Sequence, residues 1–171
     1  MPAEMPRGAG SLAANVVAEA ATLIVALARE AGDGATAAQA ARIGARAGVL
    51  SLTNDVAFGA ALAHLRATAG GRGDGFLLTR SLGEAAALPG VICETAADLA
   101  LLAAALAERG DSSRRADFAG IAELAAAASR AAALLVRSNL TVSGDDARLV
   151  SATAAAAEAS AAAHRAAIAE G

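Results

Sequence analysis

The stretch from Pro89 to Leu140 constrains the fold most tightly, because it sets two long apolar runs on either side of one short polar break: PGVICETAADLALLAAALAERGDSSRRADFAGIAELAAAASRAAALLVRSNL. Runs of this length, rich in alanine and leucine, read as helices rather than strands. Proline is tolerated in the first turn of a helix, where its missing N–H has no partner to lose, and glycine closes a helix in the left-handed conformation. A first helix is therefore expected from about Pro89 to about Arg109, closed by Gly110, with Val91, Thr95, Leu99, Leu102 and Leu106 on one face. A second should start at Ser112 or Ser113, whose hydroxyl can cap free backbone donors. It runs through Phe118, Ile121, Leu124, Leu134 and Leu135 to a terminator at Asn139.

The rest of the chain repeats this style. A small-residue loop at Gly8 to Ser11 opens a helix, and a long helical segment follows from about Thr36 to about Thr68, with Ile43, Val49, Leu52, Val56, Leu62 and Leu65 among its apolar positions. Gly44 and Gly48 lie one turn apart within it, which suits close approach of another helix. Gly70 to Phe76 reads as a flexible loop, Leu77 to Leu88 as a short helix leading to Pro89, and Ser143 as the cap of a last helix from about Gly144 to about Ala169, with Asp146 as a shortened capping-box partner. Strand signals never appear. The expected fold is all-α, a single-domain bundle of five or six helices with Leu99, Leu102, Ile121, Leu124 and Leu135 in its core.

Composition excludes several functions. A chain of 171 residues supports one domain, and a net charge of −3 argues against a nucleic-acid surface. The mean hydropathy of +0.49 owes much to alanine, and Glu19, Arg29, Glu94, Asp98, Glu123, Arg130 and Glu158 interrupt the apolar stretches, so no membrane span is expected. The N-terminus lacks the basic region and cleavage site of a signal peptide, and the lone Cys93 fits a reducing compartment; a cytoplasmic protein is expected. All 14 basic residues are arginine, and Tyr and Trp are absent, which rules out Schiff-base lysines and Lys-Tyr acid/base pairs. His64 and His164 stand alone without metal-ligand spacing, so no metal site is expected.

Polar residues inside such apolar helices carry the chemistry. Glu94, Asp117 and Asn139 sit in or at the ends of helices that are otherwise mostly Ala and Leu. Each also has a plain structural role: a carboxylate is favoured in an early helical turn by the helix dipole, and Asn ends helices.

Taken together, the spacing of Pro89, Glu94, Gly110, Asp111, Asp117 and Asn139-Leu140 resembles the vP…E…GN…SD…NL pattern of the cyclodeaminase/cyclohydrolase family, which includes the C-terminal domain of formiminotransferase-cyclodeaminase. Asp111 stands where that family usually has Asn, Ala116 where it has Ser, and Leu135 where it often has Asn. Gly8, Ala9, Gly10 and Ser11 before Leu12-Ala13-Ala14 resemble the family's GGGSAAA opening, and Asp55-Val56-Ala57-Phe58 resembles its D-x-x-AF motif. The family's GR-K-Y-like segment after the first helix is replaced here by Arg29, Glu30 and a Gly-Asp-Gly turn.

The resemblance implies a homodimer of an orthogonal helical bundle that opens or closes the one-carbon bridge of a tetrahydrofolate. Either 5-formimino-tetrahydrofolate loses ammonia or the 5,10-methenyl form is hydrolysed. Both need a proton acceptor, a proton donor and groups that orient the pterin. With Lys and Tyr absent, Asp55, Glu94 and Asp117 are the catalytic candidates, and Gly8, Gly10, Ser11, Arg137 and Asn139 the substrate-binding ones; the folate is a substrate, with no tightly bound cofactor. A loop of small residues at a helix N-terminus suits the anionic groups of a folate, and equally suits close helix packing. The alternative is a retargeted or non-catalytic relative, acting on another imine or amidine or serving as a binding or structural dimer.

Overall fold

The computed structural model describes residues 8–110, 112–139 and 146–170. Asp111, Leu140, Ser143 and Gly144, which enter the sequence reading, lie outside the described residues. The described chain is helical throughout, with no strand: α1 (Ala9–Glu30), α2 (Gly34–Ala69), α3 (Gly75–Arg109), a 3-10 turn at Ser112–Arg114, α4 (Arg115–Asn139) and α5 (Ala147–Glu170).

Local chemistry sets the breaks. Gly32 takes φ +73° after α1, and the Asp33 N–H closes on the Ala28 carbonyl at 2.8 Å. Asp33 then caps α2, accepting the Thr36 N–H at 3.0 Å and the Thr36 hydroxyl at 2.6 Å. Those bonds to Thr36 hold its carboxyl below the usual carboxylate range. The loop expected from Gly70 to Phe76 shortens to residues 70–74, because Asp74 caps α3 through the Phe76 N–H at 2.8 Å.

Three boundaries depart from the sequence reading, the first being α4, which begins at Arg115 after the 3-10 turn rather than at Ser112 or Ser113. Pro89 does not start a helix; it lies buried in the middle of α3, which continues through it. Proline removes only one ladder bond, and buried Ala86 and Ile92 on either side pack both halves of α3 into the core. At α5 it is Asp146 that caps the helix, accepting the Arg148 N–H at 2.9 Å and pairing with its guanidinium at 2.8 Å, and the helix begins at Ala147 rather than Gly144.

α3 is the central helix, packed against the other four, while α1 bridges α2 and α4. One continuous core runs through all five and consists mostly of alanine, with Val17, Ile24, Ile92, Leu99 and Val136 as its larger fully buried members. Alanine removes little apolar surface from water, so stability here depends on backbones approaching closely. Gly44 is one such point: a β-carbon there would lie 3.2 Å from the Ala21 β-carbon, whereas Gly48 faces open space.

Leu99, Leu102 and Ile121 are buried as expected; Leu135 is only partly buried, and Leu124 is 55% exposed. On α4 the buried face belongs to Ala122, Ala125, Ala126, Ala132 and Val136, which leaves Leu124 outside, beside Leu12 and Leu23 of α1. Interrupting charges also prove less decisive than expected for membrane spans. By length and composition alone α1, α3 and the 112–139 segment could each cross a membrane, and in this fold half or more of each apolar window is buried within the bundle (50%, 61% and 50%).

Candidate active site at the start of helix α1

α1 begins without a side-chain cap. Gly8 occupies the N-cap position in extended geometry, so the first backbone N–H groups of the helix receive no side-chain acceptor there. Small residues permit this opening to press against α2. Ser51, Asn54 and Asp55 are spaced i, i+3, i+4 and fall on one face of α2, and all three meet Ser11 or its neighbourhood. The Ser11 hydroxyl donates to the Asp55 carboxylate, the Asn54 amide donates to the Ser11 Oγ at 3.0 Å, and the Ser51 hydroxyl donates to the Ser11 carbonyl at 3.3 Å. Ser11, Ser51 and Asn54 are buried and Asp55 is half-buried.

A cavity of about 340 Å³ opens beside this cluster. Gly8, Gly10 and Asn54 form one side, Phe58, Leu62 and Leu65 continue the α2 wall, and Leu82, Ala85 and Pro89 supply the α3 wall. Leu135 and Asn139, one turn apart on α4, close it. No lining residue carries a formal charge; the amides of Asn54 and Asn139 are the polar side chains. Pro89 has no N–H to give the Ala85 carbonyl, so the helix offers an acceptor lacking its usual donor at this wall. The arrangement can enclose a flat, largely apolar body and hold an anionic or carbonyl group on the α1 backbone donors; Asp55 does not line the cavity and is linked to it through Ser11 and Asn54.

The structure thus brings together Gly8, Gly10, Ser11, Asp55 and Asn139 out of the residues expected from sequence. Glu94 lies five residues from Pro89, about 140° around α3, and accepts a hydrogen bond from Ser151 of α5 at 3.1 Å on the exposed surface. Arg137 is two residues from Asn139 on the opposite side of α4, in a groove with Leu149 and Thr153 of α5. Asp117 is half-exposed, 4.0 Å from Arg114, which itself pairs with Glu30 at the end of α1 at 2.7 Å. The length of α4 places Asp117 about 33 Å from Asn139.

Asn54 is the residue that sequence reading passed over. Its signal was present: Ser51, Asn54 and Asp55 form a polar i, i+3, i+4 set in an apolar helix. The D-x-x-AF spacing also needs correction, since counting back from Ala57-Phe58 puts its carboxylate position on Asn54, one residue before Asp55. At that position this chain has an amide.

No protein-family profile matches the sequence, and no curated protein matches it. Among solved structures it is similar to the formiminotetrahydrofolate cyclodeaminase of Thermotoga maritima, at 19% identity and a TM-score of 0.81, over 99% of this chain and 89% of that one. The two chains share a fold over that span.

Proposed function

We propose that the cavity at the start of α1 binds a tetrahydrofolate and that the protein acts on its one-carbon bridge, as a formimidoyltetrahydrofolate cyclodeaminase or a methenyltetrahydrofolate cyclohydrolase. What carries this function is the Ser11–Asp55 hydrogen bond beside an apolar cavity, joined to it by Asn54. The cyclodeaminase identity of the similar Thermotoga maritima protein supports it. In the deaminase direction N10 attacks the carbon of the protonated formimino group (amidinium) and its proton passes to Asp55; the resulting amino nitrogen takes up a proton and leaves as ammonia as the N5 lone pair forms the 5,10-methenyl bridge. In the hydrolase direction Asp55 takes the proton of the water that attacks the methenyl carbon, and the C–N5 bond then breaks as N5 takes up a proton and the added hydroxyl loses one, leaving the formyl group on N10. Ser11 orients the carboxylate in both, and the α1 backbone donors hold an anionic or carbonyl group of the substrate.

A homodimer in the cytoplasm, without nucleic-acid or membrane partners, belongs to the same proposal. Exposed Leu12, Leu23 and Leu124 around one groove between α1 and α4 supply apolar surface that a second copy would cover. Asp117, at the far end of α4, joins a cavity only if that cavity belongs to another subunit.

A retargeted or non-catalytic relative is the alternative, and two observations favour it: an amide occupies the cavity-facing Asn54 position, and Glu94, Asp117 and Arg137 of the same chain all lie elsewhere. Ligand-dependent melting tests folate binding directly. A tetrahydrofolate at a hundredfold excess over its dissociation constant should stabilise the protein by about 2.7 kcal/mol. No shift with any tetrahydrofolate form would favour the retargeted relative acting on another substrate.

A further inference from the structure

A second groove, of about 520 Å³, lies between the first turns of α2 and the last turns of α3 and shares no residue with the Asn54 cavity. Its floor is apolar: Ile43 from α2, and Leu101, Leu102 and Ala105 from α3. Its charges are arranged by helix geometry. Asp98, Leu102, Ala105 and Arg109 recur at i, i+4, i+7 and i+11, one stripe of α3 about 16 Å long, with the carboxylate at one end and the guanidinium at the other. Arg42 and Gln39 face it from α2.

The two arginines are available. Arg42 makes no hydrogen bond or ion pair among the described residues. Arg109 turns its Nε onto the Ala105 carbonyl at 3.0 Å, which fixes the guanidinium and leaves its terminal amino groups. Arg109 lies near enough to Asp33 to act on its charge, and both Asp33 oxygens accept hydrogen bonds from Thr36. At the other end Asp98 makes no hydrogen bond among the described residues; Arg46, Glu94 and Glu158 lie near enough to act on its charge.

We propose that this groove binds a small organic monocarboxylate, with its head on Arg42, Arg109 and the Gln39 amide and its apolar body over Ile43, Leu101 and Leu102. Two guanidinium groups near one carboxylate give charge-assisted hydrogen bonds, and the apolar floor rewards a hydrocarbon body that inorganic phosphate lacks. The acidic end selects against a dicarboxylate, whose second charge would approach Asp98, Glu94 and Glu158.

Hexanoate is a suitable probe, followed through the methyl resonances of Ile43, Leu101 and Leu102, which lie in this groove and not in the folate cavity. Hexanoate should shift them saturably, and the neutral isostere hexanamide should bind about tenfold more weakly or worse. Arg42→Gln and Arg109→Gln should each weaken hexanoate about tenfold with unchanged helix content. Adipate should bind more weakly than hexanoate and recover in Asp98→Asn. Equal binding of hexanamide, full affinity in the Arg42→Gln/Arg109→Gln double variant, adipate at least as tight as hexanoate, or methyl shifts that follow protein concentration instead of ligand would each overturn the proposal.

Discussion

A β-carbon on Gly10 would lie 2.8 Å from the Asn54 Oδ1 and 2.9 Å from its Nδ2, so the start of α1 and the middle of α2 leave no room for a side chain between them. The amide that would have to yield is the one that donates to Ser11 at 3.0 Å. Gly10→Ala should therefore displace Asn54 and cost about 1 kcal/mol, the net value of one hydrogen bond. Denaturant unfolding should show a lower midpoint at unchanged slope. In the Gly10→Ala/Asn54→Ala double variant the two costs should fall short of their sum, since both remove the same bond. Strict additivity would mean that Gly10 is small for another reason.

Leu99 is fully buried in α3 and Leu124 is mostly exposed on α4. Leu99→Ala should cost about 2–5 kcal/mol, from lost transfer energy and the cavity left in an alanine core that cannot easily collapse. Leu124→Ala should change monomer stability by no more than about 0.5 kcal/mol. If the protein is a dimer through the α1–α4 groove, Leu124→Ala will instead weaken association, seen as a shift to monomer in sedimentation at low concentration.

Cys93 joins three helices. Its thiol donates to the Ala152 carbonyl of α5 at 3.2 Å and lies 3.2 Å from the Ser129 Oγ of α4, which in turn donates to the Cys93 carbonyl at 3.0 Å. Burial pushes the thiol above its usual range, with Ser129 opposing and Glu94 adding to the rise. A thiol reagent at neutral pH should leave Cys93 unmodified in the folded protein and react fully after denaturation. Rapid modification under native conditions would show that α3, α4 and α5 separate readily.

Asp146 ties the start of α5 to pH. Its hydrogen bonds from Arg148 lower its pKa to about 2, below the unfolded value. A folded pKa that is depressed means stability present above the unfolded pKa and lost as pH falls toward the folded one. The difference in melting temperature between the protein and its Asp146→Ala variant should therefore hold at and above about pH 5 and shrink as pH falls from about 4 to about 2. A difference independent of pH would assign Asp146 a purely geometric role.

The helices were legible in the sequence because alanine-rich runs are punctuated by Gly32, Gly70 and Gly110 and by capping residues such as Asp33, although Gly110 ends α3 in extended geometry (φ −78°, ψ 171°) and not in the left-handed conformation expected of it. Which face each helix buries was less so. In a chain where alanine lines every side, leucine no longer marks the core, and Leu124 and Leu52 point outward while alanines pack inward. Pro89 misled because a proline early in an apolar run has the same local pattern as a proline inside a helix held by packing on both sides. At the candidate site the small residues of the α1 opening stood out in the sequence, whereas the D-x-x-AF spacing was placed one residue late, on Asp55, and the cavity walls come from four helices and depend on tertiary contacts. Asn54 belonged to a polar set legible in α2, but its contact with Ser11 depends on α1 being placed on α2.

The most direct measurement is ammonia release from 5-formimino-tetrahydrofolate, with 5,10-methenyl-tetrahydrofolate hydrolysis in parallel, for the native protein and Asp55→Asn. The variant keeps the size of Asp55 and an oxygen to accept the Ser11 hydroxyl, and loses the proton acceptor. The native protein should turn over one of the two substrates, and Asp55→Asn should lower kcat by about 100-fold or more with the fold and folate affinity retained, the scale of a lost general base. Undiminished turnover by Asp55→Asn, or a native protein that binds tetrahydrofolates and converts neither, would contradict the catalytic role given to the Ser11–Asp55 pair.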